Sequence, residues 1–176
     1  MYDLLILAIN EEKASRICTD KIRVKAINKT GIEKQKYYCE IWPFINNVYG
    51  ILYKIFSDRG LGDFECCDEM FEFGTVSDID FTLSRQFPNL QDESFEDCVS
   101  MKLVDDYDSE FISALDILLS CSPISTVAFL CRGQSLDKEI ILGTLSLSDF
   151  SKMLHLGQIR TNICYIISNY DGVEEQ

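Results

Sequence analysis

Residues 58–110 carry sixteen acidic side chains against three basic ones. That imbalance constrains the fold more than any other feature of the sequence. Like charges held close together repel one another and destabilise a compact state, so a chain that concentrates them has to hold them at its surface. The run "DFECCDEMFEFGTVSDID" at 63–80 has seven carboxylates and no Lys or Arg, and "LQDESFEDCVSMKLVDDYDSE" at 90–110 continues it. The flanks are different: residues 1–57 sum to +3 and residues 111–176 to −3, so the middle third equals the whole formal charge of −13.

Two readings compete for this stretch. A run of charge is commonly a solvated face that keeps a protein soluble. A surface of one sign also steers a basic partner, raising association rates by about 10-fold to 1000-fold at low salt. Aromatic residues among the charges favour the second reading, since buried aromatics give interfaces their affinity. The candidate partner-binding residues are Asp63, Glu65, Asp68, Glu69, Glu72, Asp78, Asp80, Asp105, Asp106 and Asp108, with Phe71, Phe73 and Tyr107 as apolar anchors. Phe64, Phe81 and Phe95 are further aromatics of the same stretch, and periodicity does not say which of the six belong to the core.

At 176 residues, with 47% apolar side chains, the chain is expected to form a single domain over 1–176 with a sizeable core. Within it, 1–60 reads as mainly helical, 61–110 as the acidic segment, and 111–170 as a helix plus a three-stranded sheet. No apolar run reaches the roughly 18 residues that span a bilayer. The opening "MYDLLILAIN" lacks a basic start and leads into "EEKASR", unlike a signal peptide. A soluble cytoplasmic protein with no membrane partner is the expectation. Eight cysteines then read as thiols, most of them inside apolar segments such as "AFLCR" and "NICYII".

Element by element, "DLLILAINEEKASRIC" (3–18), "DKIRVKAINKTG" (20–31) and "PFINNVYGILYKIFSDRG" (43–60) read as helices. In the third, Pro43 suits the first turn, and Phe44, Ile45, Val48, Leu52, Ile55 and Phe56 fall at helical spacing. Trp42 is expected to pack onto it. "MFEF" and "DIDFTL" read as short strands. "DSEFISALDILLS" (108–120) reads as a helix with Asp108 or Ser109 at its cap. "ISTVAFLCRG" (124–133) and "DKEIILGTLSL" (137–147) suggest a hairpin. "SLSDFSKMLHLG" (146–157) is a short helix, begun by Ser146 with Asp149 and closed by Gly157, and "QIRTNICYIISNY" (158–170) is a further strand. The fold class expected is α+β: a helical N-terminal half packed on a small, mostly antiparallel sheet, with an additional C-terminal helix.

The sequence offers little that a catalytic site requires. The lone His155 sits at the end of a short amphipathic helix, where interaction with the helix dipole is the commoner role. No phosphate-cradling glycine motif or nucleophile elbow occurs. The carboxylates of "DID" (78–80) fail the calcium-loop pattern, because Leu83 stands where glycine is required. No C-x-x-C is present, and the Cys66–Cys67 pair is a poor chelate. The expectation is no enzyme, no catalytic residue, no metal and no cofactor. Direct nucleic-acid binding is disfavoured by the acidic stretch, although 13–36 holds eight Lys or Arg.

The run "STVAFLCRGQSLDKEIILGTLSLSDFSKMLHLGQIRTNICYIIS" over 125–168 resembles bacterial immunity proteins of contact-dependent growth inhibition and other polymorphic toxin systems. The likeness lies in its pattern of strand, strand, "LSDF" helix and "N-x-CYII" strand. It implies a cytoplasmic protein that binds the C-terminal toxin domain delivered by sibling cells and neutralises it. Many such toxins are nucleases, which are basic to bind phosphates, so an acidic inhibitor can imitate their polyanion. The alternative is an acidic regulatory or adaptor protein that binds another basic protein.

Overall fold

The segment "IRVKAI" alternates strictly. Ile22 and Val24 are buried while Arg23 and Lys25 are exposed. A period of two is the signature of a strand with one face on a core. The computed structural model describes residues 2–8, 16–18, 20–27, 51–57, 69–74, 99–133 and 140–169. It places this segment in strand β3 (Ile22–Ile27), between β2 (Arg16–Cys18) and β4 (Ile51–Ser57), with β1 (Tyr2–Ala8) beyond β4. In β4, Tyr53, Ile55 and Ser57 are buried, and Lys54 and Phe56 between them are half-buried.

The helical N-terminal half is therefore a correction. All three segments read as helices contain strands: β1 and β2 in the first, β3 in the second, β4 in the third. Short apolar runs match the helical and the strand template equally. Here the β-branched and aromatic content of "IRVKAI" and "ILYKIF" favours strands. Trp42 and Pro43 lie outside the described residues, as does "DIDFTL".

The later elements are β5 (Phe71–Phe73), β6 (Ser100–Leu103), helix α1 (Asp108–Cys121), β7 (Thr126–Gly133), β8 (Ile140–Ser146), helix α2 (Leu147–His155), β9 (Ile159–Arg160) and β10 (Ile163–Ser168). A 3-10 turn, Asp105–Tyr107, leads into α1. The strands make a seven-stranded sheet, ordered β2-β3-β4-β1-β7-β10-β8, and a three-stranded one, β5-β6-β9. Neighbouring strands are antiparallel except β8 and β10, which run parallel.

That parallel pair corrects the expected hairpin. β7 and β8 are not neighbours, because β10 lies between them. Parallel strands need a crossover rather than a tight turn, and α2 followed by β9 supplies it. The expected strand at 158–170 is likewise two strands, broken at Thr161–Asn162. Asn162 adopts φ 62°, a left-handed conformation that Asn tolerates better than most residues. Its N–H donates to the Cys131 carbonyl (2.7 Å), and Thr161 N–H donates to the Val99 carbonyl (2.9 Å). Val99 N–H returns a bond to Thr161 Oγ1 at 2.9 Å. This buried turn joins the small sheet to the large one.

Both C-terminal helices lie where the sequence places them. α1 buries Phe111, Ala114, Leu115, Leu118 and Leu119, with Ile112 half-buried. Its cap differs from expectation: Tyr107 is the N-cap residue and makes no side-chain cap bond. Its N–H instead donates to the Val104 carbonyl at 2.9 Å, so the 3-10 turn starts the helix. α2 begins as expected, with Asp149 N–H donating to Ser146 Oγ at 3.0 Å.

A line of edge-on aromatic contacts holds these parts together. Phe71 meets Phe111 at 5.4 Å between ring centroids, Phe111 meets Phe129 at 6.1 Å, Phe129 meets Phe150 at 5.0 Å and Phe150 meets Tyr165 at 5.9 Å. The line runs from the small sheet through α1 to β7, α2 and β10. Each such pair is worth about 0.5–1.5 kcal/mol beyond the area it buries. On the opposite face of the large sheet, the cross-strand partners Leu130 and Cys164 are also fully buried. Burial on both faces explains why "VAFLC" and "ICYII" are continuously apolar rather than alternating.

Candidate functional site

Pairing between β5 and β6 brings the two acidic runs together. Phe71 lies opposite Leu103, Glu72 opposite Lys102 and Phe73 opposite Met101. The pairing continues past the strands, where Val104 N–H donates to the Met70 carbonyl at 2.9 Å. Glu69 and Asp105 therefore flank one hydrogen-bonded position on adjacent chains, which lie about 5 Å apart in a sheet. Glu69, Glu72, Asp105 and Asp106 are exposed, and Asp108 and Glu110 are half-buried. Alternation within β5 accounts for part of this arrangement: Phe71 and Phe73 turn toward the core and Glu72 between them turns out, while Met70, just before the strand, is buried as well.

Burial separates the aromatics from the carboxylates. Phe71 and Tyr107 are each only 3% exposed and belong to the core. They are not surface anchors, and Phe73 is half-buried. Asp63, Glu65, Asp68, Asp78 and Asp80 lie outside the described residues, as do Phe64, Phe81 and Phe95. What the structure brings together is Glu69 and Glu72 with Asp105, Asp106 and Asp108.

Two residues that sequence reasoning did not place here, Ser57 and Lys21, shape the patch. Ser57, at the end of β4, donates through Oγ to Glu69 Oε2 at 3.2 Å. The Tyr107 hydroxyl lies 3.4 Å from the same Oγ. A serine has one proton, so with that proton on Glu69 the tyrosine donates to the serine. Glu69 is thus tied through Ser57 to a buried tyrosine. On the other side, Lys21 Nζ donates to the Asp106 carbonyl at 2.8 Å and lies 5.8 Å from the Tyr107 ring centroid. Lys21 N–H donates to Glu110 Oε2 at 2.7 Å. Lys21, just before β3, fastens the 105–110 segment, and its ammonium group borders the acidic residues, as does the exposed Lys102 opposite Glu72. The only signal for this in the sequence is the strand alternation that starts at Ile22.

Exposed carboxylates at neutral pH are hydrogen-bond acceptors only. Several of them close together present a negative potential that suits ammonium and guanidinium groups on a partner. His155 stands apart, exposed on the last turn of α2 beside Lys152. Among the described residues no helix is long and apolar enough to cross a membrane. The chain matches no family model, no curated protein and no solved structure.

Proposed function

We propose that this chain is a cytoplasmic immunity protein that binds a cognate toxin domain, a basic nuclease, and neutralises it through the acidic face. One observation supports the reading above the others. Two acidic runs about thirty residues apart are paired side by side, with exposed carboxylates at Glu69, Glu72, Asp105 and Asp106. A nuclease presents cations to hold a phosphate backbone. Carboxylates held on and beside the small sheet compete for those cations without offering a bond to cleave. Tyr107 and Phe71 serve this by holding the backbone beneath the carboxylates, not by touching the partner. The Ser57–Glu69 bond and the Lys21 contacts fix the same turn, which reduces the ordering cost of association.

The test is growth. The C-terminal region of the protein encoded immediately upstream is induced in a laboratory bacterium, with and without this chain. The reading expects growth arrest that this chain relieves. A harmless neighbour, or arrest that the chain fails to relieve, would overturn it in favour of an acidic regulatory or adaptor protein for another basic partner.

A further inference from the structure

We draw no further inference here: the strongest candidate, the row of basic residues Arg16, Lys25 and Lys54 that strand pairing places side by side across β2, β3 and β4, includes two lysines that already interact elsewhere in the chain, and nothing in the structure shows what would dock on it.

Discussion

Gly157 adopts φ +69° just past the end of α2. Its N–H donates to the Leu154 carbonyl (3.1 Å), and Gln158 N–H donates to the Met153 carbonyl (2.8 Å). Together these bonds are a Schellman motif, which satisfies carbonyls that the helix end leaves without partners. An added Cβ would meet only Lys102 Cβ, at an ordinary 3.7 Å, so the cost of a side chain here is conformational. Gly157→Ala is expected to destabilise the fold by about 1–2 kcal/mol, read as a lower urea midpoint with an unchanged slope. At the other end of α2, Ser146→Ala is expected to cost about 1 kcal/mol. The Ser146 hydroxyl also donates to Asp149 Oδ2 at 2.9 Å. That bond, and then Lys152, hold the Asp149 carboxyl below its ordinary value of 3.8. A lowered folded-state value stabilises the protein above the unfolded value and loses that stabilisation as pH falls through the folded one. Asp149 is largely exposed, so the effect is small. Urea midpoints measured from pH 5 down to pH 2 are expected to fall less steeply in Ser146→Ala than in the parent.

Among the elements, the aromatic line from Phe71 to Tyr165 makes β7 the joint of the molecule. Phe129 touches Phe111 of α1 and Phe150 of α2 and is fully buried. Phe129→Ala is expected to cost about 3–5 kcal/mol, and to broaden the near-ultraviolet spectrum of the whole chain rather than of one end. Elements of this C-terminal part were legible in the sequence for a physical reason. α1 and α2 carry apolar residues at helical spacing over several turns, and α2 also carries its own start and stop residues. The N-terminal strands were not legible as strands. Leu52, Ile55 and Phe56 satisfy a helical spacing by coincidence, while Tyr53 and Ile55 carry the burial that decides the matter. The order of β7, β10 and β8 was hidden for a different reason. Adjacent strands in sequence usually pair, and only the crossover through α2 shows that these do not.

Across the whole molecule, the charge segregation visible in the sequence becomes a structural feature through β5 and β6. That acidic residues would lie outward was legible from composition. That the two runs would lie on neighbouring strands was not, because pairing between residues about thirty apart leaves no local pattern. Of the aromatic anchors expected among them, Phe71 and Tyr107 went into the core and Phe73 is half-buried, and alternation along β5 cannot expose Glu72 and Phe71 together. On the proposed function, binding through this face would rest on charge, and charge acts mainly on the association rate. The double variant Asp105→Lys, Asp106→Lys isolates that effect, because it leaves the Ser57–Glu69 bond in place. It spares Glu72, which lies opposite Lys102, where a lysine would set like charges against each other. The decisive measurement is the rate at which this variant and the parent associate with the upstream toxin domain, followed by stopped-flow from about 20 mM to 500 mM salt, a range over which exposed charges pass from weakly to strongly screened. The account predicts at least about a 10-fold slower association for the variant at low salt, with the two rates converging as salt rises. Equal rates at low salt, in a variant whose thermal unfolding matches the parent's, would contradict it.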